Sequence, residues 1–101
     1  MEKISDAAAL QIMRDYHPSP ATAGYILFVQ KNTEWSEHLL ALLQKEFDDV
    51  GVALALFGGL KCDSEKVTDA LKRWTNWDNG RIDRAITRAK LYYFYYSRFS
   101  R

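Results

Sequence analysis

Val52-Ala53-Leu54-Ala55-Leu56-Phe57 is the stretch that decides the fold. It is a short apolar run closed by Gly58-Gly59, and such a run fits either a strand buried on both faces or a helix buried all round. Its alanines and leucines favour helix. A second run, Tyr25-Ile26-Leu27-Phe28-Val29, is made of residues that favour strands. Taken as strands, residues 25–30 and 52–57 would pair in parallel, with residues 33–49 as the crossover of a small βαβ unit. That is the α/β alternative. A sheet needs more members, and the remaining aromatic run, residues 91–96, lacks alternation. The expected fold is therefore mostly α, a compact bundle of about five or six short helices forming a single domain over residues 1–101.

Outward from that core run, the helices announce themselves by spacing and caps. Over residues 4–16, Ser5 suits the N-cap and Asp6 the first turn, where the helix dipole favours an acid. Ala8, Ile12 and Tyr16, with Ala9 and Met13 beside them, form the apolar side. His17-Pro18-Ser19-Pro20 ends this helix. Ser19 as cap and Pro20 at the first helical position then open another helix, which takes residues 21–31. Over residues 33–49, Trp35, Leu39, Leu42, Leu43, Phe47 and Val50 recur at helical spacing. Asn32 or Thr33 is the expected cap there, and Gly51 the expected left-handed stop. Asp63 or Ser64 caps the next helix, which turns Val67, Ala70, Leu71 and Trp74 inward and Lys66, Lys72 and Arg73 outward. Residues 75–80 form a turn by composition.

Residues 80–101 make the last helix, Gly-Arg-Ile-Asp-Arg-Ala-Ile-Thr-Arg-Ala-Lys-Leu-Tyr-Tyr-Phe-Tyr-Tyr-Ser-Arg-Phe-Ser-Arg. Wound at about 100° per residue, Ile82, Ala85, Ile86, Ala89, Tyr93 and Tyr96 share the core side. Arg81, Arg84, Arg88, Tyr95 and Arg98 share another. Tyr92 to Tyr96 place rings on every side, and a core needs only one. The surplus rings mark an interface, since tyrosine with arginine is the composition of contact hot spots.

Bulk composition agrees with a binding role. The net charge of +1 conceals an asymmetry: residues 1–59 hold four basic and eight acidic groups, residues 60–101 ten basic and five acidic. This polarity steers partners rather than specifying a fold. Fourteen aromatics, nine of them Trp or Tyr, are many for 101 residues. No apolar run approaches the roughly 18 residues of a membrane span, and the first residues lack the apolar segment of a secretory leader. A single cysteine excludes an internal disulfide and fits a reducing cytoplasm.

Catalytic signatures are weak. Cys62, His17 and His38 show no metal-ligand spacing, so neither metal nor cofactor is expected. Gly58-Gly59-Leu60-Lys61 is not a phosphate loop. Cys62 lies just ahead of a helix N-terminus, where a thiol is activated, yet a thiol enzyme also needs a positioned base. The acids Glu46, Asp48 and Asp49 fit a solvated face at a helix C-terminus.

The expected protein is thus a small non-enzymatic, cytoplasmic binding protein. It would be accessory to, or an inhibitor of, a nucleic-acid-handling complex, of the kind carried by phages or plasmids. Its expected surface is Lys66, Arg73, Arg81, Arg84, Arg88, Tyr92, Tyr95 and Arg98, meeting a protein, a nucleoprotein complex or a second copy in a homodimer. The first alternative is a direct DNA or RNA regulator with a helix-turn-helix-like pair over residues 63–98. The second is a thiol enzyme using Cys62.

Overall fold

The computed structural model describes the backbone of residues 4–99 and the side chains of residues 4–93. Over these residues the chain forms α1 (Asp6–Asp15), α2 (Pro20–Tyr25) continued by a π-helical turn (Ile26–Gln30), α3 (Glu37–Glu46), α4 (Asp49–Gly59), α5 (Ser64–Trp74) and α6 (Asn79–Phe99). No strand occurs among the described residues, which corrects the α/β alternative. Residues 26–30 are a helical turn, and residues 52–57 lie inside α4.

The reason both runs resembled strands is that α4 is the central helix. Val52, Ala53, Ala55, Leu56 and Phe57 are all buried, so α4 shows no polar stripe along its middle. A helix hydrophobic all round is one packed on every side. Its tightest neighbour is α2. A Cβ on Gly24 would overlap the Ala55 carbonyl, and one on Gly58 would overlap the Ala21 carbonyl. The order reverses between the two helices, so they cross in opposite senses with backbone against backbone. Around this crossing, one core gathers Ala9 and Met13 of α1, Leu27 and Phe28 of the π turn, and Leu39, Leu40, Leu42 and Leu43 of α3. Val67, Ala70 and Leu71 of α5 and Ile82, Ala85, Ile86 and Ala89 of α6 complete it.

Caps set the boundaries. Ser5 Oγ accepts from the Ala8 N–H at 3.1 Å, as expected. Ala9 and Met13 are the buried side of α1, while Ala8 and Tyr16 are exposed. Pro20 opens α2, but the Ser19 side chain makes no capping bond and meets Thr22 Oγ1 at 2.8 Å. Lys31 N–H donates to the Ile26 carbonyl at 2.8 Å, a five-residue span that widens the helix. Asn32 then takes a left-handed φ of 50°. It therefore ends one helix instead of capping the next. Residues 33–36 form no helix or strand, and Ser36, with extended backbone, is the cap of α3, its Oγ accepting from Leu39 N–H at 3.0 Å.

The expected single helix over residues 33–49 is broken at Phe47, whose φ of −129° and ψ of 155° are extended. Asp48 starts α4, its Oδ1 accepting from the Gly51 N–H at 2.8 Å. Gly51 is thus inside α4 rather than a stop. Electrostatics explains the break: Asp48 and Asp49 would oppose the dipole at a C-terminus and favour it at an N-terminus.

Gly58 and Gly59 do not terminate α4 either; they belong to it. Gly58 makes room for Ala21, and a Cβ on Gly59 would strike Phe28 and Trp35. The left-handed stop falls on Lys61 (φ 55°) and Cys62 (φ 68°). Cys62 N–H returns to the Phe57 carbonyl at 2.8 Å, closing the helix end. Asp63 Oδ1 then caps α5 by accepting from Glu65 and Lys66 N–H at 3.1 and 3.2 Å. No helix among the described residues is long and apolar enough to cross a membrane.

Gly24→Ala and Gly58→Ala should each lower the unfolding free energy by about 3 kcal/mol, because the clash is with backbone that cannot rotate away. Gly80→Ala, whose Cβ would meet only the side chains of Arg84 at 3.2 Å and Asp78 at 3.4 Å, should be neutral or gain up to about 0.5 kcal/mol. Conversely, Lys61→Gly should stabilise by about 0.5–1 kcal/mol by removing the left-handed penalty. Urea unfolding of the four variants measures both effects.

Candidate functional site

α6 is held by its expected apolar stripe. Ile82, Ala85, Ile86 and Ala89 are buried, and Tyr93 is partly buried. The helix packs on α4 and α5, which leaves its far side uncovered by other elements. Asp78 Oδ1 accepts from the Arg81 N–H at 2.7 Å and secures the first turn.

Arg81 is committed to the fold. Its Nε and Nη2 donate to the two carboxylate oxygens of Asp49 at 2.8 and 2.9 Å. Its guanidinium also lies 4.4 Å from the centre of the Trp77 ring. The hydrogen bond from Arg81 holds the Asp49 carboxyl below its ordinary value of 3.8, partial burial opposes this, and the Arg81 charge adds to the lowering. The same pairing raises the Arg81 pKa. Trp77 is itself buried, and its Nε1 donates to Gln44 Oε1 at 3.2 Å. The turn between α5 and α6 is thereby pinned to α3 and α4. Arg81 therefore fastens α6 to the start of α4 and is not a free member of the expected surface.

Arg84 and Arg88 are exposed and form no ion pair among the described residues. Leu91 is 67% exposed on the same side as these arginines, and Tyr92, 51% exposed, lies on the flank next to Arg88. Leu91 was not among the expected site residues. Wound at about 100° per residue it falls beside Arg84, so helical spacing alone would have placed it there. The side chains of Tyr95, Tyr96 and Arg98 lie outside the described residues.

Lys66 and Arg73 do not join this row. They lie on α5 along a separate open groove of roughly 580 Å³, with Trp35, Leu60, Asp69, Lys72 and Trp74. The α5 side that meets α6 carries Ser64 and Thr68 opposite Asn79, Ile82, Asp83, Ile86 and Lys90, and Lys72 borders both this side and the groove. The expected surface is thus two surfaces.

Cys62 is exposed at the corner between α4 and α5, beside Tyr25, Phe57, Lys61 and Tyr93. The Tyr93 phenol is pushed up, first by its hydrogen bond with Cys62 and then by partial burial. Neither histidine lines this corner. His17 packs 5.4 Å from the Phe47 ring centre, and His38 Nε2 lies 2.8 Å from Asp6 Oδ2. Among the described residues no group of three or more potential ligands is placed to hold a metal ion. The acidic set also has structural work: Glu46 meets Arg14 at 3.3 Å, Asp48 caps α4 and Asp49 holds Arg81.

Arg81→Ala should cost about 1 kcal/mol, a modest figure because the Arg81 and Asp49 side chains are 43% and 41% exposed. Arg84→Ala and Arg88→Ala should stay within about 0.5 kcal/mol of the parent. A depressed carboxyl stabilises above its unfolded value and stops doing so as pH falls through its folded value. The gap between the parent chain and Arg81→Ala should therefore be full at neutral pH and shrink on acidification below about 3.8, as followed by urea unfolding at both pH values.

No protein-family model, curated protein or solved structure matches this chain.

Proposed function

We propose that this chain is a small non-enzymatic binding protein that acts by protein–protein contact through the outer side of α6. The observation that carries this is the exposure of Leu91 beside Arg84 and Arg88, two arginines that form no ion pair among the described residues, on the outer side of α6, with the exposed Tyr92 at its margin. An apolar and aromatic centre flanked by guanidinium groups is the composition of an interface hot spot. Arginine there also supplies flat, multidentate hydrogen bonding to an acidic partner. The surface extends in sequence through Tyr95 and Arg98. The partner class is an acidic protein within a nucleic-acid-handling complex, for which this chain serves as accessory or inhibitor. A cytoplasmic setting belongs to the same proposal and rests on the single free cysteine.

The helix-turn-helix alternative has less support. In that geometry the leading side chains of the second helix reach base edges. Arg81, the first of them, is already bound to Asp49 and stacked on Trp77.

The test is capture from the native cell with a tagged chain. The parent should retain a specific protein, and Arg84→Glu combined with Arg88→Glu should lose it while keeping its helical circular dichroism and its midpoint of unfolding. Undiminished capture by the double variant removes the proposal. Self-association of the pure parent, abolished in the double variant, would identify the partner as a second copy.

A further inference from the structure

We infer that the groove between residues 33–36 and α5 is a second binding site, one that takes single-stranded RNA. It is separate from the α6 surface and does not depend on the function proposed for it.

The groove is built from both sides. Gly59 leaves room for the Phe28 and Trp35 rings against the end of α4. Those rings stack with centres 3.3 Å apart and planes 15° from parallel, which orients Trp35. Opposite, the last turn of α5 presents Trp74, with the Arg73 guanidinium 5.5 Å from its ring centre. Both indoles are partly exposed. Lys66, Lys72 and Arg73 rim the groove against one carboxylate, Asp69. Among the described residues none of the four is held in an ion pair. The roughly 580 Å³ of space is open along its length and lies in the range that admits a small ligand or a short piece of a strand.

Two oriented indoles with unpaired cations at their edges match the needs of an unstacked strand. Bases have flat faces for the rings, and phosphates have charge for the lysines and the arginine. A duplex hides its base faces and gains nothing from the tryptophans. An acidic protein segment answers the cations but leaves the indoles without flat partners. Asp69 would repel a phosphate at its own position, yet a carboxylate accepts well from a ribose 2′-hydroxyl, the group that distinguishes RNA from DNA. Arg73 changes role on binding: it leaves the Trp74 face to a base and takes a phosphate.

Tryptophan fluorescence reads the site directly, because two of the three indoles line it and Trp77 is buried elsewhere. Decauridylate at low salt should quench the emission of the full chain. The apparent affinity should fall with salt at a log–log slope of about −2, three phosphates each releasing roughly 0.7 of a counterion. Lys66→Glu with Lys72→Glu should weaken binding about tenfold or more, since both sites are exposed and the fold does not need them. Trp74→Ala should weaken binding about tenfold or more as read by the remaining Trp35 emission, and Trp74→Phe should keep part of the affinity because a ring remains. Arg84→Glu with Arg88→Glu should bind RNA like the parent, which separates failure of this site from failure of the α6 surface. Absence of quenching at low salt, equal binding of a duplex, or full retention in the lysine variant overturns the inference. Equal affinity for decathymidylate overturns the assignment to RNA. Displacement of RNA by an oligoglutamate of equal length at the same affinity assigns the groove to an acidic protein segment instead.

Discussion

Two carbonyl groups, of Ala21 and Ala55, press into the places where side chains would stand on Gly58 and Gly24. This contact brings α2 against α4 at backbone distance. It makes α4 a central helix, surrounded by α2, α3, α5 and α6, rather than one layer of a looser stack. With α4 so placed, its buried residues specify where every other apolar stripe must point. Close approach also increases the dispersion contacts each helix makes, and core interiors tolerate little slack. The glycines are therefore spent on packing inside helices, where they lower helix propensity, instead of at helix ends where they would ease termination. The cost reappears one turn later, where Lys61 and Cys62 must adopt the left-handed conformation that glycine ordinarily takes.

That displacement explains which parts of the fold could be read from the chain. Ser5, Pro20 and Asp63 act at the helix starts where their chemistry predicts, because a helix start depends on neighbours within a few residues. The stripe on α6 is equally local, and it was legible for the same reason. Glycine signals failed because Gly51, Gly58 and Gly59 are needed for contacts, and those with Ala21, Phe28 and Trp35 are distant in sequence. Asn32 failed as a cap because the π-helical turn before it carries two consecutive core residues, Leu27 and Phe28, and requires a left-handed exit. The break at Phe47–Asp48 could have been seen: three acids at one helix C-terminus oppose its dipole, and two of them, Asp48 and Asp49, are favourable where they open a new helix.

The candidate surface was legible only in outline. Spacing placed Arg81, Arg84 and Arg88 together on α6, but no local pattern says that Asp49 and Trp77 claim the first of them. Charge polarity between the two halves proved partly internal. Asp49 in the acidic half neutralises Arg81 in the basic half, and this pair anchors α6 to the beginning of α4. Trp77, placed in a turn by its neighbours, is a core residue whose indole N–H is satisfied by Gln44. A single Trp amid Asn, Asp and Gly gives no periodic signal, so only the tertiary partners reveal its role.

What remains positive after Arg81 is subtracted divides by geometry. Arg84 and Arg88 stand on the flank of α6 away from α5, whereas Lys66 and Arg73 stand along the Trp35 groove rather than with the α6 arginines. Over the roughly 8–10 Å of a Debye length at ordinary salt, such groups act on their immediate surroundings and not as one patch. A single extended partner would have to wrap around α6 and α5 to meet both. Two smaller partners need not compete, because α6 itself, with its buried Ile82 and Ile86, lies between the surfaces. The helix that supplies one surface is thus also the spacer that keeps the other independent of it.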